Sequence, residues 1–243
     1  MALPNLKCLI SRENLHQVGS LIFLHGEKYT AESMKKYLKS LIHRELEFDH
    51  IRVIFPQAPD IPYRIPLVDG TQTGLWYEQI SYSPTTAERK DSINYSCSLI
   101  RQFVNMEKSR GIAHDKIIIG GFDMGGTLAM HVGYRFLTDI AGVFALSSIL
   151  SSKSIVFEKI RRDMILHKNK RFPPIWMWHG DVDPNRLRWA AHTAECFTDL
   201  EIETDFSVNF ARQGHEIIAP ELFYLKKWVE TIVPDPEKSI LKK

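Results

Sequence analysis

Three short segments of the chain carry residues that could do chemistry together. The first is Gly120-Gly121-Phe122-Asp123-Met124-Gly125-Gly126, which follows the apolar run Ile117-Ile118-Ile119. It reads G-x-D-x-G where the strand–turn–helix that presents a nucleophile reads G-x-S-x-G. The second is His179-Gly180-Asp181-Val182-Asp183-Pro184, and the third is Gly214-His215-Glu216. Tip residue, acid and imidazole follow one another in the order of a triad in which an acid orients a histidine and the histidine serves the tip. Asp183 is expected to be the acid that orients His215. The other reading makes it a turn former or helix cap ahead of Pro184, as Asp181 is. The tip itself, Asp123, is a carboxylate and not a hydroxyl.

That difference decides which reactions are open. A carboxylate that attacked an ester or thioester would form an anhydride-like adduct. With a pKa near ~4, it would leave again far more readily than a thiolate or alkoxide. Ordinary acyl transfer is therefore expected to be severely impaired. A carboxylate nucleophile does work on saturated carbon, where histidine and acid then activate water against the alkyl ester, as in epoxide hydrolases and haloalkane dehalogenases. The remaining reading involves no turnover: Asp123 and Asp183 flank His215 in an ionic lock, and the pocket only binds.

The elements that would position these residues alternate between strand and helix. Short apolar runs at 20–24, 51–55, 116–120, 141–146, 174–178 and 205–210 read as strands. Between them, helical spacing is visible over 31–45, from Ile93 to Glu107, over 126–136, over 188–198 and over 220–230. Such alternation with short linkers predicts a doubly wound, mostly parallel sheet with helices on both faces. Each chemical segment then follows a strand, where ligands bind in open α/β sheets. The proline-rich stretch from Pro56 to about Tyr82 is expected to be one long ordered loop, with Trp76 and Tyr77 bordering a substrate pocket. The polar tail 234–243 is expected to fray.

Composition narrows the class. A chain of 243 residues suits one large α/β domain with a core over about 18–231. A formal charge of +2 argues against nucleic acid. The basic cluster Lys159, Arg161, Arg162, Lys168, Lys170 and Arg171 reads as a solvated face, with contact to acidic lipid as the alternative. Cys8, Cys97 and Cys196 are an odd set at unrelated spacings, so neither a disulfide framework nor a metal site is expected, and a cytoplasmic location is. Cys97 reads as core. Cys8 and Cys196 have no basic partner nearby in sequence and do not read as replacement nucleophiles. No metal-ligand spacing is seen around His114, His131, His167 or His192, and no cofactor is expected. No apolar run is long enough to cross a bilayer.

From about residue 18 to 231 the chain resembles the acyl-protein thioesterase and lysophospholipase-like family of α/β-hydrolases. The stretches that carry this are Ser20-Leu-Ile-Phe-Leu-His-Gly26, Phe55-Pro-Gln-Ala-Pro59, Gly74-Leu-Trp-Tyr-Glu78, Ile118-Ile-Gly-Gly-Phe122, Ala141-Gly-Val-Phe-Ala-Leu-Ser147, His179-Gly-Asp-Val-Asp183 and Gly214-His-Glu216. The resemblance implies hydrolysis of thioesters or carboxyl esters, on acylated proteins or lipid-like esters. It also implies a serine at position 123, Asp183 and His215 as acid and base, and backbone N–H groups of Glu27 and Met124 as the oxyanion hole. The sequence departs at two places. Asp123 replaces the serine, and the family's His-Gly-x-Gly-Asp-x-Gly loop reads His25-Gly26-Glu27-Lys28-Tyr29-Thr30-Ala31. Without the later glycines, the Glu27 N–H is not expected to point at a developing oxyanion, where such a donor contributes roughly 2.7–4 kcal/mol. The two departures together argue for natural drift towards a pseudoenzyme over an engineered substitution.

Overall fold

The protein is described by a computed structural model over residues 7–11, 17–59, 74–79 and 83–240. Most of the proline-rich loop, residues 60–73 and 80–82, lies outside the described residues. Seven strands form one sheet: β1 (Cys8–Ile10), β2 (Gly19–Leu24), β3 (Ile51–Pro56), β4 (Ile117–Phe122), β5 (Gly142–Leu146), β6 (Ile175–Gly180) and β7 (Thr204–Asn209). Their order across the sheet is β1-β3-β2-β4-β5-β6-β7, parallel throughout except for β1, which runs antiparallel to β3. The expected doubly wound sheet is present.

Side-chain alternation explains the layers. In β2, Ile22 and Leu24 face one core while Leu21 and Phe23 face the other. The first face is covered by α2 (Lys90–Ser109), α3 (Met124–Arg135), α4 (Ile155–Leu166) and α5 (Pro184–Asp199), through residues such as Cys97, Leu128, Phe157 and Phe197. The second is covered by α1 (Ala31–Ile42) and α6 (Ala219–Ile232), through Met34, Leu38, Leu222 and Leu225. Buried on both sides, the central strands read as continuous apolar runs.

Chain direction reverses at β2. From it the chain first steps out to β3 and later returns on the other side as β4, which pairs with β2 from Ser20↔Ile117 to Leu24↔Gly121. The loops after β2 and β4 therefore leave the sheet side by side at its switch point. Gly121 and Gly125 make that closeness possible. A Cβ on Gly121 would stand 2.2 Å from the Leu24 carbonyl oxygen, and one on Gly125 would stand 2.3 Å from it. Neither glycine has a positive φ; what they supply is space.

Some element bounds differ from the sequence reading, each for a local reason. α1 stops at Ile42, short of Glu45, because His43 takes a left-handed conformation with φ 54°. α5 begins at Pro184, where proline suits a first turn and Asp183 caps it. The three-residue β1 is too short to show a period. Part of the tail expected to fray forms α7 (Pro236–Ile240), and residues 241–243 lie outside the described residues: the Asp235 carboxylate accepts from the Glu237 N–H at 3.0 Å, and Lys238 bridges Asp49 and Asp235. Lys159 and Lys170 of the basic cluster both pair with Asp163.

The packing of the turn predicts that Gly121→Ala destabilises the fold by about 3 kcal/mol, since the new methyl meets rigid backbone. Gly111→Ala, with nothing within 4 Å but a φ of +94°, should cost about 1 kcal/mol. Urea denaturation of the two variants checks the contrast, and equal losses would refute it.

Candidate active site

The turn after β4 puts Asp123 at φ 55°, ψ −121°, a conformation that a non-glycine residue holds only when its surroundings impose it. Here the surroundings do so. The Asp123 N–H donates to the Leu146 carbonyl at 2.9 Å, and its own carbonyl accepts from the Thr127 N–H at 3.1 Å and from the Ser148 hydroxyl at 2.9 Å. Asp123 is only 8% exposed.

Its carboxylate is bonded on both oxygens. Oδ1 lies 3.2 Å from His215 Nε2. Oδ2 accepts from the Glu27 backbone N–H at 3.4 Å. The Met124 N–H, at the start of α3, also hydrogen-bonds the carboxylate. Burial pushes the Asp123 pKa up, but the hydrogen bond and charge of the His215 ring, then the N–H groups of Glu27 and Met124, outweigh it and the net shift is downward. The expectation that Glu27 no longer points its N–H into the site is thereby corrected. Gly26, the glycine that remains, allows the approach: a Cβ there would sit 2.9 Å from the Phe122 ring and 3.1 Å from Asp123 Cβ.

His215 packs its ring on Phe122 with centroids 5.0 Å apart. The Asp183–His215 bond expected from the sequence is not formed. Asp183 accepts instead from the N–H groups of Asn185 and Arg186 at 3.0 and 3.1 Å and pairs with the Arg186 side chain. The cap reading describes this geometry, because two N-terminal amides of α5 compete for the same carboxylate. The structure therefore joins Asp123, His215, Glu27 and Met124, and leaves Asp183 aside. No group of metal-binding residues is found among the described residues.

A cleft of about 750 Å³, open to solvent, lies on one side of Asp123. Tyr77, Glu88, Thr127, His131, His179 and Trp189 are among its walls. Tyr77 borders it as expected. Trp76 does not: it is 1% exposed, donates its indole N–H to the His25 carbonyl at 2.8 Å and packs on the His25 ring. Its work is to hold the loop after β2. His25 is the partner in that work. Its Nε2 accepts from the Ala58 N–H at 3.1 Å, so Nδ1 carries the proton and donates to the Gly26 carbonyl at 2.8 Å. Burial lowers its pKa to about 4, which keeps the ring neutral. The His25-Gly26 pair was visible in the sequence, but its bracing role depends on Ala58 and Trp76, far along the chain. Cys196 also needs correction. Its Sγ lies 3.7 Å from His192 Nε2, one turn earlier in α5, although burial pushes the thiol pKa up and disfavours the thiolate.

The chain matches the family described as phospholipase/carboxylesterase over residues 7–233. It is 33% identical to mouse lysophospholipase-like protein 1 over 229 residues, covering 94% of this chain and 92% of that one. It is 26% identical to acyl-protein thioesterase 1 homolog 2 of Dictyostelium discoideum, covering 89% and 93%. Among solved structures, Zea mays acyl-protein thioesterase 2 superimposes with a TM-score of 0.75 at 16% identity, over 93% of this chain and 99% of that one. This likeness shows the α/β-hydrolase fold.

Because the Asp123 pKa is lowered, its interactions stabilise the fold fully above the ordinary carboxylate value of about 4, and that contribution is lost as pH falls through the folded-state value. Asp123→Asn should therefore cost about 1–3 kcal/mol near pH 7, and the gap to the natural protein should close in acid. Thermal melts of both proteins from pH 7 to pH 3 measure it. A gap that widened in acid would contradict the assignment.

Proposed function

The chain belongs to the phospholipase/carboxylesterase family, and from that membership we propose that its site binds a fatty-acylated protein or a lipid-like ester without hydrolysing it at esterase rates. One observation carries the reading: the Asp123 carboxylate already accepts from the backbone N–H groups of Glu27 and Met124.

In the hydrolytic arrangement that the resemblance implies, a serine at position 123 attacks the acyl carbon and those two N–H groups receive the oxyanion. We read Asp123 as standing at the nucleophile position with its own charge in the place of that oxyanion. Two losses follow. An attack by Asp123 yields an adduct whose best leaving group is Asp123 itself. Any other nucleophile would build negative charge beside a carboxylate that holds the donors, each of which contributes roughly 2.7–4 kcal/mol to a working site. Removing a triad nucleophile alone typically costs on the order of 10⁴–10⁶ in kcat. The Asp-nucleophile reading, attack on an epoxide or alkyl halide, is less well supported. It needs donors for the departing oxygen or halide, and the N–H groups of Glu27 and Met124 are bound to Asp123.

The cleft supports the binding half of the proposal. It opens beside Asp123 and has mixed polar and apolar walls, the lining that small-ligand sites use. With no hydrolysis to support, Asp183 serves as the cap of α5. We read the chain as one domain. The three cysteines are free, which fits the cytoplasm, and among the described residues no helix is long and apolar enough to cross a membrane.

A chromogenic short-chain ester separates the alternatives when offered to the natural protein and to Asp123→Ser. The serine variant should turn over at least about 10⁴-fold faster, while an S-palmitoylated peptide should bind the natural protein and be recovered intact. Turnover by the natural protein at ordinary rates, kcat of about 1 s⁻¹ or more, would sink the proposal. Equal inactivity of the two would show that Asp123 is not what silences the site.

A further inference from the structure

The loop that carries His215 is clasped from beneath by residues outside the triad pattern. Gln213 is 3% exposed and its side-chain amide makes three hydrogen bonds. Its Oε1 accepts from the Trp178 indole N–H of β6 at 3.0 Å. Its Nε2 donates to the Glu216 carbonyl at 2.8 Å and to Glu221 Oε2 at 2.9 Å. Indole nitrogen only donates, so the orientation of this amide is unambiguous. The bond from Gln213 to Glu216 spans His215 and closes the loop around it. The Gln213 backbone carbonyl also accepts from the Val182 N–H at 3.1 Å and lies against Gly180, where a Cβ would come within 2.2 Å of it.

Glu221, near the start of α6, anchors the clasp and is wholly buried. Its Oε2 takes the Gln213 bond and one from the Ile218 N–H at 3.3 Å. Its Oε1 is buried with no hydrogen-bond partner among the described residues. No lysine, arginine or histidine pairs with it among them. Tyr37 of α1 feels its charge, and Tyr29 from the loop before α1 and Glu216 of the His215 loop act on Tyr37 in the same sense; none of the three could offset a negative charge. An ionised carboxylate here would be a buried charge bonded on one oxygen only, an arrangement that proteins avoid by keeping the proton.

We propose that Gln213 and Glu221 are positioning residues that hold His215 against Asp123, and that their grip depends on Glu221 keeping its proton. Burial raises the Glu221 pKa, the bonds from Gln213 and Ile218 pull it part of the way back, and the result is about 8. A carboxyl raised in the folded state stabilises the fold fully below its ordinary value near ~4.3, and that stabilisation is lost as pH rises through the folded value. The clasp should therefore hold at pH 6.5 and loosen by pH 9. Tyr37, pushed up to about 12 by burial, does not titrate in this window. The inference rests on the reading above in one respect: the Asp123–His215 contact is what the site maintains.

Hydrogen exchange of the Val182 and Ile218 backbone amides, which donate to the Gln213 carbonyl and to the Glu221 carboxyl group, tests it without substrate once corrected for intrinsic base catalysis. Protection in the natural protein should fall about tenfold between pH 6.5 and pH 9, as expected for local opening. Glu221→Gln, which keeps the acceptor and cannot ionise, should retain protection at both pH values. Gln213→Ala should lack it at both. Unchanged protection in the natural protein, or a loss in Glu221→Gln that follows the natural protein, would overturn the proposal. Esterase turnover by the natural protein would refute the binding-only reading and leave this result standing, so the two can fail separately.

Discussion

A carboxylate buried at the tip of a tight turn needs donors, and Asp123 takes them from three places: the N–H of Glu27 in the loop after β2, the N–H of Met124 at the start of α3, and the ring of His215 after β7. Those segments are far apart in the chain; the switch point between β2 and β4 brings the first two together, and the loop after β7 brings His215 to them. A buried unpaired carboxylate would cost several kcal/mol; bonded in this way, it ties the three loops to one another. The lowered pKa of Asp123 expresses the same balance, with partners outweighing burial.

The rest of the site is built to keep that meeting in place. Gly121 and Gly125 let β4 and α3 lie against the Leu24 carbonyl. Trp76 and neutral His25 fasten the loop that carries Glu27, and Ser148 and Thr127 hold the strained backbone of Asp123. Gln213 fastens the histidine loop to β6 and α6. The scaffold thus converges on one contact, a buried carboxylate bonded to the N–H groups of Glu27 and Met124 and to the ring of His215.

Much of this was legible in the sequence because it is written in local pattern. Apolar runs ending in Gly-containing loops mark the strands, and the glycine-flanked Asp123 marks the turn. The order of Asp123, Asp183 and His215 pointed to a shared site. What was not legible depends on competition between partners. Asp183 sits before Pro184 and satisfies the start of α5, and no spacing rule says which of two duties a carboxylate will take. Trp76 looked like a pocket wall because aromatic residues often are, yet its indole N–H found the His25 carbonyl in the core. The missing glycines after Gly26 suggested a lost donor, although one glycine, beside Phe122 and Asp123, suffices to keep the Glu27 N–H in place. Glu221 carries no signal in the sequence, since a glutamate in the first turn of a helix is ordinary until its burial is known.

The Asp123 carboxylate occupies the N–H groups of Glu27 and Met124. Solution NMR addresses it by following the backbone amide protons of Glu27 and Met124 together with the Asp123 side-chain carboxyl carbon as the pH is lowered. The account predicts that all three shift in one transition with a midpoint below the ordinary carboxylate value of about 4. Amides that ignore the titration of Asp123, or a midpoint above that value, would contradict it.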